Sequence, residues 1–149
     1  MGKIELNIIE FKEGKFFFNK NVEYTEDVRK NIRLELRPEL IYKKGSDVAY
    51  IRLASIYTIG EVDVMSYDIS LGFIIKDWSA SVAKMSEQEL RTHEALHAMI
   101  DIMIGFFRGA MAVHAKGSEL ENAFFPNLRT DEFASNIQLR LVEEQKKKD

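Results

Sequence analysis

The sequence has no cysteine, only two prolines and little net charge for its length. Without cysteine, the chain can form neither a disulfide framework nor a thiolate metal site. The charge is balanced, because 21 basic and 24 acidic residues give a formal net charge of −3. Domains that bind nucleic acid concentrate positive charge on one face, so this balance argues against nucleic acid as the partner.

Signals for targeting to a membrane are also lacking. The segment from Met1 to Asn7 has no basic region followed by an apolar run, so we expect no signal peptide. The longest apolar stretch is interrupted by His97, Asp101 and Arg108, which argues against membrane insertion. A cytoplasmic location is the resulting expectation.

The composition itself is that of an ordinary globular protein. Of the 149 residues, 46% are apolar and 30% are charged, which suits one domain with a substantial core. We expect this single domain over residues 1–142 and a charged C-terminal tail over 143–149, where Lys146, Lys147 and Lys148 follow one another.

The first half of the chain has the alternating pattern of β-strands. Strands are predicted over residues 4–11, 32–43, 49–59 and 65–75, with turns at 44–47 and 60–61. The alternation slips at Ile9 and Phe11, which indicates a bulge or a break in the first strand. Pro38 lies inside the second and predicts an edge position or a bulge there. Short connections favour antiparallel pairing.

The second half has the signals of helices. Ser86 and Glu89 form a capping box, which predicts a helix from there to Lys116, followed by Gly117 in a left-handed cap. Thr130 is placed to begin a C-terminal helix, in which Phe133, Ile137 and Leu141 would share one face. Strands followed by helices favour an α+β fold, with one antiparallel sheet and helices on one side.

The long predicted helix has more apolar surface than one sheet would cover. A surface helix of a monomer usually keeps a wide polar face, and this helix keeps a narrow one. We therefore expect its apolar stripe to form an oligomer interface. The residues predicted to lie in it are Leu90, His97, Ile100, Ile104, Phe107 and Met111.

The segment from His93 to His97 reads His-Glu-Ala-Leu-His and fits the zinc peptidase pattern H-E-x-x-H. Two histidines four residues apart on a helix share a face and could hold zinc, with Glu94 as general base. Candidates for a third ligand are His114, Glu119 and Glu121. His114 would lie roughly 30 Å from His93 along a straight helix, so it cannot complete the site within one subunit. A zinc-dependent hydrolase is therefore the alternative.

Several strings resemble the SecB family of export chaperones. Arg37-Pro38-Glu39-Leu40, the Gly72-Phe73 step in the strand 67–75, and the order Arg108, Phe125-Pro126, Asp131-Glu132-Phe133 are similar to strings of that family. The resemblance covers residues 30–142 and includes the order of elements. It implies a four-stranded antiparallel sheet followed by one long helix and a C-terminal helix.

The resemblance also implies a function. A SecB-like protein would be a homotetramer, without cofactor or catalysis, that binds unfolded polypeptide clients through apolar grooves and serves protein export. Net charge −3 and the terminal lysines count against SecA as a partner, since family members that meet SecA are strongly acidic. A dedicated chaperone of a toxin–antitoxin pair is the other alternative. The positions that could line the groove are Leu34, Leu36, Tyr42, Tyr67, Ile69, Phe124, Phe125, Phe133 and Ile137.

Overall fold

The computed structural model describes residues 4–121 and 128–142 of the chain. Its strands are β1 (Leu6–Glu13), β2 (Phe17–Phe18), β3 (Arg33–Lys43), β4 (Val48–Ile59), β5 (Val62–Ile75) and β6 (Gln138–Val142). Its helices are α1 (Glu26–Lys30), α2 (Trp78–Val82), α3 (Glu87–Arg91), α4 (Glu94–Ala115) and α5 (Thr130–Asn136).

The strands form one mixed sheet in the order β1-β5-β4-β3-β6, and the short β2 also pairs with β5. Strands β3, β4 and β5 are antiparallel neighbours joined by turns, and β1 pairs antiparallel with β5. Strand β6 pairs parallel with β3. The fold is α+β, but the prediction of a four-stranded antiparallel sheet is wrong, because the sheet has six strands and one parallel pair.

The local predictions for the strands are confirmed in detail. The register of β1 against β5 shifts between Ile8 and Glu10, where the sequence alternation slips. Gly45 and Gly60 have φ values of 79° and 57°, which favour glycine and allow the tight turns on either side of β4. Pro38 pairs with β4 on one edge, while β6 joins the other edge of β3 only from Glu39 onward. The missing N–H of Pro38 therefore costs no ladder hydrogen bond with β6.

Helix α4 lies across β4 and β5, and the core fills the space between helix and sheet. The apolar residues of β5 that alternate toward the helix meet the apolar stripe of α4. Burying each large side chain stabilises the fold by roughly 1.5–3 kcal/mol. The largest contributors include Tyr67, Ile69, Leu71, Phe73, Leu96, Met99 and Phe107.

The predicted helix from Ser86 to Lys116 is two helices. The capping box of Ser86 and Glu89 is present, but it begins the short α3, which ends at Arg91. Thr92 leaves the helical path, and His93 begins α4 as its N-cap with extended backbone angles. Gly117 follows α4 with φ at 82°, as expected for a residue just beyond a helix end.

The predicted C-terminal helix ends early. Helix α5 stops at Asn136, and residues 138–142 form β6. The prediction is wrong because the spacing of Phe133, Ile137 and Leu141 suits both structures: four residues is close to one helical turn and is also twice the strand period. Ile137, Leu139 and Leu141 alternate with polar residues, and this alternation corresponds to the strand that the chain forms here.

Candidate functional site

An apolar groove runs along β6, between the β3–β6 edge of the sheet and the segment from α2 to α3. It consists of two adjoining clefts of about 200 and 280 Å³. Both are lined by the same four apolar side chains, Tyr42, Val82, Met85 and Leu141. We call this surface the β6 groove. Beside these apolar side chains the groove has polar ones, Ser86 and Glu87 in the first cleft and Lys43, Lys44 and Ser79 in the second. Each cleft is smaller than the roughly 300–1,000 Å³ of a typical small-molecule site.

The groove lies where one row of apolar side chains extends from the core to the surface. Ile137, just before β6, is fully buried, whereas within β6 Leu139 is partly buried and Leu141 is 46% exposed. Leu141 pairs across the parallel ladder with Tyr42 of β3, so the two side chains form the outer end of this row. Over residues 4–121 and 128–142, the order β1-β5-β4-β3-β6 makes β6 the terminal strand, which pairs with β3 along one edge only. A sheet edge of this kind can accept an extended segment as a further strand.

The residues predicted to bind substrate fall into four groups. Tyr42 lies in the β6 groove. Leu34 and Leu36 of β3 are partly buried and pack against the core. Phe124 and Phe125 lie outside the described residues. The others are buried in the core of the single chain and have no surface to offer a client: Tyr67, Ile69, Phe133 and Ile137.

The hydroxyl group of Tyr67 takes part in a hydrogen-bonded cluster. Its hydroxyl donates a hydrogen bond to Glu13 at the end of β1, and the ring of His114 from α4 reaches the same carboxylate. The two hydrogen bonds, that of Tyr67 foremost, lower the pKa of Glu13. Burial, followed by the bond to Glu13, raises the pKa of Tyr67 well above its ordinary value. The cluster fastens α4 to β1 and β5.

The predicted interface residues are likewise covered within the chain. Leu90, Ile100, Ile104, Phe107 and Met111 are buried against the sheet, which accounts for most of the apolar arc of α4. His97 is partly buried and its Nε2 lies 2.9 Å from the carbonyl oxygen of Arg91. Among the described residues, the surface of α4 that stays open carries the small or apolar residues Gly105, Phe106, Gly109, Ala112 and Val113, together with the charged residues Glu94, Asp101 and Arg108.

The H-E-x-x-H pattern does not produce the helical face that a zinc site needs. His93 precedes the helix as N-cap, and its Nδ1 accepts a hydrogen bond from the backbone N–H of Ala95 at 3.0 Å. The Nε2–H of His97 donates to the Arg91 carbonyl, which leaves a lone pair on Nδ1 of His97, while the lone pair on Nδ1 of His93 is used at the N-cap. Over residues 4–121 and 128–142, no three His, Asp or Glu side chains are grouped as metal ligands would be.

By length and composition alone, α4 also meets the criterion for a membrane-spanning helix, with a mean hydropathy of 1.5 over its most apolar window. A core helix of a soluble domain meets the same criterion, and α4 packs one face on the sheet. Comparison with protein-family models and with curated proteins finds no match to this chain.

Residues of the β6 groove that were not predicted as site residues include Val82, Met85, Leu139 and Leu141. A sequence signal for two of them existed in the alternation over residues 137–142, which indicates a strand with one apolar face. Val82 and Met85 carry no such signal, because their role depends on where α2 and the segment before α3 fold against β3 and β6.

Proposed function

We propose that this protein is a chaperone-like binder of non-native polypeptides, and that clients bind in the β6 groove. The observation that carries the proposal is the row from Ile137 to Leu141, which continues the core onto the surface beside an open sheet edge. Unfolded chains share backbone amides and scattered apolar side chains. An open strand edge suits the amides, and an apolar groove suits the side chains.

The groove lining suits clients of varied sequence. Met85 is unbranched and polarisable, so it adapts to different partners better than a branched residue would. Tyr42 offers an aromatic face with a polar tip, a residue type enriched at binding hot spots. The resemblance to SecB proteins supports the same class of activity. Holding a non-native chain by mass action requires neither a cofactor nor an energy source, in keeping with a proposed non-enzymatic role in the cytoplasm.

We also propose that the chain assembles into a homo-oligomer, as the resemblance implies, through the open face of α4. Gly105, Gly109 and Ala112 would let a second helix approach closely, while Phe106 and Val113 supply apolar area. The proposed interface thus lies about half a turn from the predicted stripe, since that stripe is covered by the sheet.

The test is suppression of aggregation of a diluted, denatured client without ATP. We expect protection at near-stoichiometric ratios. Leu141→Glu should weaken client binding about tenfold, because the carboxylate would have to be desolvated in an apolar groove. Val62→Glu is the matched control, because Val62 is 48% exposed, similar to Leu141 at 46%, but lies outside the groove.

Two results would contradict the proposal. One is a parent protein that protects no client. The other is a Leu141→Glu protein that melts like the parent and protects as well as Val62→Glu does, which would show that clients bind elsewhere. Melting curves of both variants are measured first, so that a loss of folding is not mistaken for a loss of binding.

A further inference from the structure

A second cleft lies at the N-terminal end of α4, where the segment before β1, the end of β5 and the helix α2 meet. Its volume is about 310 Å³, at the lower end of the range for small-molecule sites. It is separate from the β6 groove and shares no lining residue with it. Its apolar and hydrogen-bonding walls are formed by Ile4, Ile75, Trp78, Ser81, His93 and Ala95.

Trp78 gives this cleft an unmet hydrogen-bonding requirement. The residue is only 1% exposed, and among the described residues its indole Nε1 is the one buried side-chain N or O atom without a hydrogen-bond partner. The indole N–H can only donate, so it requires an acceptor. Nearly all buried polar groups in folded proteins have a partner, and an orphan of this kind calls for a ligand or an ordered water.

His93 supplies a second donor beside the indole. Its Nδ1 accepts the hydrogen bond from Ala95 N–H, so in the neutral ring the proton resides on Nε2. The imidazole meets the indole edge to face, with ring centroids 5.8 Å apart. Burial, the largest influence, lowers the pKa of His93 and keeps the ring neutral near pH 7. Trp78 and His93, which both line the cleft, therefore carry two uncharged N–H groups.

The charges at the rim decide what kind of acceptor fits. Glu5 and Asp77 contribute two carboxylates, while Lys76 contributes one ammonium group, which lies 3.8 Å from Glu5. Among the residues that the structure describes, the rim thus carries one more negative than positive charge, which disfavours an anion. A neutral carbonyl oxygen satisfies the donors without this repulsion, and Ile4, Ile75 and Ala95 suit an apolar group attached to it.

We infer that this cleft binds a compact apolar group carrying a neutral amide carbonyl, with the carbonyl oxygen accepting hydrogen bonds from Trp78 Nε1 and His93 Nε2. This chemistry is found in a free small amide and in an apolar residue of a polypeptide. The site does not depend on the β6 groove, and it adds a specific pocket to a protein otherwise proposed to bind apolar surface without specificity.

The intrinsic fluorescence of Trp78 tests the inference directly, because it is the only tryptophan of the chain. The full-length protein is titrated with N-acetyl-leucinamide and, separately, with N-acetyl-leucine, which replaces the terminal amide with a carboxylate. We expect a saturable emission change with the amide and binding of the acid weaker by roughly tenfold. Absence of a saturable change would overturn the inference and leave a water as the partner of the indole.

Variants separate the two features of the site. His93→Asn keeps an acceptor for the N-cap but removes the second donor, and it should weaken amide binding by roughly tenfold. Combining Glu5→Gln with Asp77→Asn removes the repulsion, so the acid should then bind about as well as the amide. Val113→Ser, far along α4, is the control and should bind the amide like the parent. If His93→Asn binds equally well, or if the acid matches the amide in the parent, the proposed recognition is wrong.

A competition experiment identifies the source of the amide. An unfolded client that displaces N-acetyl-leucinamide assigns the cleft to polypeptide, and a client that leaves it bound assigns the cleft to a free small molecule. Either result is compatible with amide recognition. The Leu141→Glu variant should bind the amide like the parent, so failure of the β6 groove and failure of this cleft can be told apart.

Discussion

The imidazole of His93 begins α4 by accepting the hydrogen bond from Ala95 N–H, a role that only an unprotonated Nδ1 can fill. Burial lowers its pKa, His97 lowers it further, and Glu94 opposes the shift. The unfolded chain, with a pKa near 6.5, therefore binds this proton more strongly than the folded protein does. The stability associated with His93 is complete above pH 6.5 and is lost as the pH falls toward the folded pKa.

We therefore expect the free energy of unfolding to decline as the pH is lowered from 7.5 to 5.5, a window of roughly one unit on either side of an ordinary histidine pKa. Urea titrations at a series of pH values measure this decline. His93→Asn should flatten it, because asparagine caps the helix without titrating. His97 and His114 are present in both proteins, so the difference isolates His93. Glu13, with its pKa below 4.5, contributes only at lower pH. Equal slopes in the two proteins would refute the role assigned to His93.

At the scale of the element, Arg91 binds the segment where α5 ends and β6 begins. Its guanidinium donates to the carbonyl oxygens of Ala134, Ser135 and Ile137 at 3.0, 3.3 and 2.7 Å. These are carbonyls at the end of α5, which lack partners within the helix. The side chain of Arg91 is only 20% exposed and is also paired with Glu87. Arg91 thus holds the junction of α5 and β6 against α3.

We expect Arg91→Met to reduce the free energy of unfolding by about 1.5–3 kcal/mol, because carbonyls near the junction lose a charged donor. Arg129→Met is the matched control, since the Arg129 side chain is largely exposed and pairs with exposed carboxylates, and it should change stability by less than about 0.5 kcal/mol. Urea unfolding measures both. Similar effects of the two substitutions would show that the contacts of Arg91 with α5 contribute little.

The same elements show what could be read from the sequence. The three hairpin-connected strands, the bulge in β1 and the capping box follow local rules, because residues close in sequence determine them. Strand β6 does not follow local rules, because its pairing with β3 joins segments far apart in the chain. Arg91, which lies in a third segment, donates a hydrogen bond to the carbonyl of Ile137 just before β6. The β6 groove depends on that pairing. Tyr42 was therefore the one described substrate-binding prediction that lies in it.

At the scale of the whole molecule, the sheet and α5 pack against α4, and among the described residues the side of α4 away from the sheet stays open around Phe106 and Val113. Phe106 on this open face meets only the ring of Phe11 from β1 among the described aromatic contacts, with centroids 5.9 Å apart, and Phe11 is itself exposed. Together with Val113 they form an apolar surface that a monomer would leave in water. Surfaces of this kind mark interfaces with other proteins, including further copies of the same chain.

We expect the protein to be an oligomer, most simply a tetramer, when measured by size exclusion with light scattering. Val113→Asp should dissociate it, because an unpaired carboxylate would be buried between helices at a cost of several kcal/mol. Val113 is 73% exposed in the single chain, so the substitution should leave the melting of the isolated subunit unchanged.

A charge at Phe107 would be a poor test, because that side chain is buried in the core and its loss would unfold the chain. Val62→Asp, exposed but on the sheet, is the control that should stay oligomeric. A parent protein of 17.2 kDa in solution would refute the assembly, and dissociation by both variants would place the interface elsewhere than on α4.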